Sequence, residues 1–184
     1  MRLFTLEHGK AAYVADFALY GAAILVLSAV LLVAGPPMLH GQFAACVMLG
    51  LALWTGIEYV LHRYVMHALD PFLGWHAEHH RRPKSLICTP TFLSAALVFT
   101  LVFLPALAVA SVMSASAWSA SALTLGVLIG YFSYGVIHHA THHWSADYQW
   151  LKQRKRWHAL HHRRVRRASC FGVTSAFWDR VFNT

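Results

Sequence analysis

"LVFTLVFLPALAVASVM" occupies residues 97–113, a run without one charged side chain. With its flanks it makes an apolar segment near 90–112, and crossing a bilayer takes about 20 residues. Three further segments read the same way, near 11–34, 42–62 and 118–137. Hydrophobic residues make up 58% of the 184 and charged residues 12%, far from the roughly 45–50% and 25% of soluble domains. The expected fold class is therefore an all-α integral membrane protein: four transmembrane helices in a single domain over residues 1–184, with a C-terminal cap over 138–184. The first segment follows Arg2 and Lys10 but is too long for a signal-peptide core and has no clear cleavage site, so it reads as an anchor. Cys46, Cys88 and Cys170 are widely spaced, which excludes a disulfide framework and a cysteine zinc site.

The formal charge is +8, and its placement matters more than its size. The connections "GPPMLHG" (35–41) and "SASA" (114–117) carry no Lys or Arg. All fifteen basic residues fall on the other side: Arg2, Lys10, Arg63, Arg81, Arg82, Lys84, the 152–167 run and Arg180. The positive-inside rule then predicts that both termini lie in the cytoplasm, with the membrane being the inner one if the cell is bacterial. Beside four apolar spans, the basic run suits anionic headgroups, and no nucleic-acid partner is expected.

Twelve of the fourteen histidines lie in four clusters: His62 and His67; His76, His79 and His80; His138, His139, His142 and His143; His158, His161 and His162. Four spans with short outer connections bring all four clusters to the cytoplasmic face. At about 100° per helical residue, His138 and His142 lie about 40° apart, as do His76 and His80. His62 and His67 would lie about 140° apart on such a helix, which suits ligands to two different ions. His8 and His40 stand alone and read as ordinary side chains. Imidazole suits Zn, Cu, Fe and Ni, but ten candidates overshoot the three or four ligands of a zinc site. "HAEHH" (76–80) puts its Glu at the wrong position for HExxH. Seven acidic residues cannot supply the paired Glu-x-x-His motifs of a carboxylate-bridged di-iron bundle. Two redox metals with about five imidazoles each remain, at a membrane surface suited to oxidising a lipid C–H bond.

The segments "EYVLHRYVMH", "HAEHHRRP", "HHATHH", "WHALHH" and the closing "FGVTSAFWDRVFNT" span about 58–184. In that order they resemble the fatty acid hydroxylase/sterol desaturase superfamily, most of all its fatty acid or ceramide 2-hydroxylase branch. The resemblance implies an oxidoreductase, a monooxygenase that hydroxylates a lipid acyl chain at two metal ions. Iron is the usual pair, zinc a possible occupant after purification, and O2 the co-substrate. Carried over by position, it implies His62, His67, His76, His79, His80, His138, His142, His158, His161 and His162 as ligands, leaving His139 and His143 beside them. We divide the ten as His62, His76, His79, His158 and His161 for one ion, and His67, His80, His138, His142 and His162 for the other. The 184 residues leave no room for the cytochrome-type haem domain that larger relatives often carry, so a separate reductase, ferredoxin or cytochrome-type carrier is expected. Only "ALDPFLGW" separates the first two boxes, as in carotenoid hydroxylases, which keeps carotenoid hydroxylation and lipid or sterol desaturation open as alternatives.

Several other residues carry expectations. Glu58, four before His62, could orient that imidazole or pair with Arg63 or Arg82. Asp16 is either functional or an interfacial carboxylate. The aromatics of "YFSYG" (131–135) and Trp144 could line an acyl channel or form an interfacial belt. Phe171–Asp179 reads as a lid in which Trp178 and Phe182 dock on apolar surface. Lys152–Arg156 and Arg163–Arg167 form a basic face on which an electron carrier could dock. A metal transporter would want ionisable groups at mid-bilayer, and spans two to four have none there.

Overall fold

The structure, a computed structural model, describes residues 7–145, 148–163 and 169–184; Arg2, Arg164, Arg166 and Arg167 of the basic set lie outside them. Every regular element among the described residues is helical. Helix α1 is Lys10–Val33 and α2 is His40–Val60, entered by a 3-10 turn at Pro37–Leu39 and continued by a π-turn at Leu61–Met66. Then come α3 (Phe72–Arg81), α4 (Thr91–Val98), a π-turn (Phe99–Phe103) and α5 (Leu104–Val112). The chain closes with α6 (Ala117–His143), α7 (Gln149–Arg163) and α8 (Phe177–Phe182). Four stretches are long and apolar enough to cross a membrane: Lys10–Val33, Pro37–Met66, Thr91–Val112 and Ala117–His143. The second and fourth continue as helix to Met66 and His143, so His62 and the 138–143 box lie on the same continuous helices as the apolar stretches. The π-turn at Phe99–Phe103 precedes Pro105, whose missing N–H and ring disturb the turn before it.

The chain divides into two compact units, Met1–Trp54 with Cys88–Phe132, and Thr55–Ile87 with Ser133–Thr184. The first is a bundle governed by small residues. A methyl group added at Gly126 would stand 2.1 Å from the Val47 carbonyl oxygen, and one at Gly50 would stand 2.2 Å from that of Leu123. Helices α2 and α6 therefore cross backbone to backbone, as small residues allow in lipid. Leu31, Phe43, Ala122 and Leu125 form the buried core there. Hydroxyls satisfy one another inside it: Tyr20 with Ser94 at 2.6 Å, and Thr91 donating to Asp16 at 2.6 Å. Asp16 thus sits in a hydrogen bond between helices. Tyr131 packs edge-on to Tyr20 and Trp54, and Phe132 against Phe17, so these half-buried aromatics pack against α1 and α2. Leu25, Val26, Leu32, Val33, Leu101 and Val109 stay exposed, as lipid-facing side chains do.

The second unit has the opposite interior. Its buried side chains include Glu58, His62, His79, His158, His161 and Asp179, groups that are rarely buried without partners. Trp178 lies over Gly56 and donates from Nε1 to Thr55 at 3.0 Å. Phe182 stacks on Tyr59 with ring centroids 5.5 Å apart. The C-terminal segment docks on α2 through these rings.

Candidate metal centre

All ten histidines singled out by spacing converge in the second unit. Their Nε2 atoms approach one another repeatedly: His62 to His76 at 3.1 Å, His67 to His161 at 3.2 Å, and His76 to His161 at 3.4 Å. A second set repeats the pattern, with His79 to His138 at 3.1 Å and His142 to His158 at 2.8 Å. His62, His67, His76 and His161 form one group of four whose ligand atoms all lie within 4.8 Å of one another; His79, His138, His142 and His158 form the other. His80 joins the first set through His76 at 2.9 Å and His161 at 3.0 Å. His162 joins the second through His158 at 3.0 Å. The rings of His80 and His162 stack between the sets, 4.2 Å apart.

The resulting sets are five and five, but the membership differs from the division expected above. His67 and His80 belong with His62, His76 and His161, while His79 and His158 belong with His138, His142 and His162. The geometry explains each exchange. The π-turn at Leu61–Met66 replaces i→i+4 by i→i+5 hydrogen bonding, so residues five apart come close to one face and most of the 140° separation is lost. His62 and His67 accordingly stack at 5.4 Å. On α3 the i,i+4 pair His76/His80 goes to one set and His79 to the other. On α7 the pair His158/His162 goes to the second set and His161 to the first. The two halves are thus related by a pattern: each set takes one pair from a spanning helix, one pair from α3 or α7, and a single imidazole from the remaining HxxHH triad.

The donors suit metal ions in spacing and in protonation. A metal–nitrogen bond of about 2.1 Å puts adjacent ligand atoms about 3.0 Å apart at right angles and about 3.4 Å apart in a tetrahedron, the range of the separations above. Burial, reinforced by neighbouring imidazoles, lowers His67 to about 4, His79 to about 3, His80 to about 2 and His162 to about 4. Burial likewise lowers His76, His158 and His161. All are neutral near pH 7, the form that ligates metal. His62 and His161 also present Nδ1 to backbone oxygens, Phe171 at 2.5 Å and Ser169 at 2.9 Å, which directs the Nε2 lone pair inward.

The remaining expectations resolve individually. His139 and His143 stack on each other at 4.4 Å, and neither belongs to either group of four. Tyr134 stacks on His138 at 5.6 Å, while Trp144 is exposed and its carbonyl accepts from Lys155. Glu78 of "HAEHH" turns outward to Arg81 and Arg82; the hydrogen bond from Arg82 is the main cause that holds its carboxyl below the usual range. Glu58 reaches the backbone of the C-terminal segment: its Oε1 accepts from the Val173 and Thr174 amides at 2.5 and 3.0 Å, and its Oε2 from the Thr174 hydroxyl. Asp179, absent from the expected site, accepts from the Phe171 and Gly172 amides at 2.8 Å each. The only sequence signal for it was its place in the closing "FGVTSAFWD".

Four apolar spanning helices and two imidazole sets define a multi-pass membrane protein built around a histidine-rich centre. The family described as fatty acid hydroxylase matches residues 47–184, and the chain belongs to that family. It is 35% identical over 154 residues to the dihydroceramide fatty acyl 2-hydroxylase FAH1 of Arabidopsis thaliana, and 31% over 154 residues to its FAH2 counterpart. Each match covers 78% of this chain and 61% of the relative, so the chain spans about three-fifths of those proteins. The solved structure of full-length scs7p, in which only the hydroxylase domain is visible, superposes with a TM-score of 0.77 at 27% identity, covering 94% of this chain and 66% of that one.

Proposed function

We propose that residues 1–184 act as one membrane-embedded hydroxylase domain that inserts oxygen into a C–H bond of a lipid acyl chain. The observation that carries the reading is the pair of four-imidazole groups with ligand atoms within 4.8 Å, in a chain of the fatty acid hydroxylase family. Relatives named as fatty acyl 2-hydroxylases support an acyl chain over a carotenoid or sterol. In this reading the ten histidines hold two metal ions, iron in the working enzyme with zinc able to take the same ligands, and the metals supply the activation of O2. One oxygen atom enters the C–H bond and the other leaves as water, consuming two electrons and two protons from an external donor.

The protein's own contribution is positioning. Neutral, buried imidazoles fix the donor atoms before any ion arrives, and the spanning helices present an acyl chain at a set depth. Holding one carbon at reacting distance is the largest lever available to a site without an acid–base pair. The metal site and both termini face the cytoplasm in this proposal, because residues 35–41 and 113–121 hold no Lys or Arg. The basic side chains of α7, Lys152 and Arg156 among them, then meet the electron carrier.

The decisive experiment is lipid mass spectrometry of cells with and without the protein, under 18O2. Acyl chains heavier by one labelled oxygen are expected. Acyl chains without the label but with new double bonds would replace hydroxylation by desaturation, and unchanged lipids would refute the reading. A reporter fused after Thr184 tests the orientation and should behave as cytoplasmic.

A further inference from the structure

The segment Ser169–Thr174 in the second unit is a strap with an unusual division of labour between its two sides. Its amides at 171, 172, 173 and 174 are four consecutive donors, and all four go to buried carboxylates: the first two to Asp179 and the last two to Glu58. Asp179 is 1% exposed and Glu58 3%. Thr184 adds a hydroxyl bond to Asp179 Oδ1 at 3.0 Å. Charge-assisted bonds of this kind are about twice as strong as neutral ones. Cys170 holds a positive φ of 61°, a conformation that a non-glycine residue keeps only where its surroundings enforce it. The strap is therefore gripped from α2 on one side and α8 on the other.

The carbonyl side of the strap faces the imidazoles. Ser169 and Phe171 accept Nδ1–H from His161 and His62, and both histidines belong to the same group of four. In the other group, the Nδ1 atoms of His79 and His158 are buried without an acceptor among the described residues. We infer that Asp179 and Glu58 are positioning residues for one metal ion and not for the other: they fix the strap, and the strap fixes the tautomer and ring orientation of His62 and His161 only. The inference rests on the two-ion reading of the histidine sets and adds to it an inequality between the ions. Neither carboxylate is a ligand; each acts through two backbone carbonyls.

The test is metal retention, which needs no turnover. Purified full-length protein is loaded with zinc, equilibrated against graded EDTA, and its bound zinc counted by elemental analysis. Wild type should hold two ions per chain. Asp179→Asn and Glu58→Gln should each release one ion at an EDTA concentration lower by about 10–100-fold, the usual consequence of losing an outer hydrogen-bond partner, and keep the second ion unchanged. Site identity comes from two backgrounds. In His138→Ala, which retains only the strap-side ion, adding Asp179→Asn should lower retention; in His76→Ala, which retains only the other, it should change nothing. Thr184→Val, which removes one hydroxyl from Asp179 and leaves both carboxylates in place, should shift the same ion in the same direction by less, and it serves if the carboxylate variants do not fold.

Equal weakening of both ions would make the strap a general clamp on the fold and overturn the inference, as would no weakening of either. A wild-type protein that holds one ion or none fails at the first step. That result removes the two-ion reading itself, and the inference with it.

Discussion

Helix α6 belongs to both units, and its two halves obey different rules. From Ala117 to Phe132 it buries Ala120, Ala122, Leu125 and Val127 and meets α2 at a glycine pair with no room for a methyl group. From Ser133 to His143 it carries His138 and His142 into a cluster of imidazoles. The first half is specified by size: any apolar residue small enough would serve. The second is specified by chemistry, where only a neutral nitrogen donor at a fixed angle serves. The contrast teaches that substitutions in the first unit should change stability without changing metal content. In the second unit, neighbouring residues should differ sharply in effect.

The largest effect separates His138 from its neighbour. His138 Nε2 lies 3.1 Å from that of His79 within the second group, whereas His139 stacks on His143 outside it. His138→Ala should abolish hydroxylation and lose one metal ion per chain. His139→Ala should keep both ions and lower activity by no more than the 10–100-fold, on the order of magnitude, that outer partners contribute. Elemental analysis and product formation at matched folded yield check both, since lost metal can also cost folding. Metal loss from His139→Ala with retention in His138→Ala would show that the register of the box is shifted by one residue.

A second effect is set by pH and belongs to the histidine unit. With metal stripped, His67 and His162 titrate at about 4, His79 at about 3 and His80 at about 2 when folded, against roughly 6.5 in an unfolded chain. Between those values the unfolded state binds more protons, so stability is fully present above about pH 6.5 and falls as pH drops towards the folded values. The melting temperature of chelated protein in detergent should therefore decline steadily from about pH 7 to about pH 5. Metal-loaded protein should hold its melting temperature further down the scale, because protons must first displace the ions. A flat profile for the chelated protein over that range would contradict the burial of these imidazoles.

How much of this was legible in the residues depends on the range over which each signal acts. The four spans are written locally, in runs such as 97–113, and the ten histidines lie in four short clusters that the family resemblance singles out; the structure brings all ten together. Their division into two sets is not written locally. It turns on the π-turn at Leu61–Met66, which no propensity marks, and on each HxxHH triad sending its i,i+4 pair one way and its third member the other. The work of Glu58 and Asp179 was hidden for a different reason: their partners are backbone amides at 171–174, and an amide leaves no residue type to recognise. Asp179 could be read only as part of a motif, without its function.

The smallest effect tests the first unit by itself. A Cβ at Gly126 would lie 2.1 Å from the Val47 oxygen and 2.9 Å from the Gly50 Cα; these are backbone atoms, so no side-chain rotation can relieve the contact. Gly126→Ala must move α2 or α6. Overpacking of this kind costs on the order of 1–3 kcal/mol, against a gain of about 1 kcal/mol in helix propensity from replacing glycine. A net loss and a lower melting temperature are expected, with both metal ions retained. Gly41, in the first turn of α2, has nothing within 4 Å of an added Cβ, so Gly41→Ala should collect the propensity gain alone and be neutral to slightly stabilising. Thermal unfolding of the two variants in detergent, with metal content measured on each, separates packing from propensity. Metal loss from Gly126→Ala in folded protein would break the contrast between the two halves of α6, because a packing defect confined to the first unit would then have reached the histidines of the second.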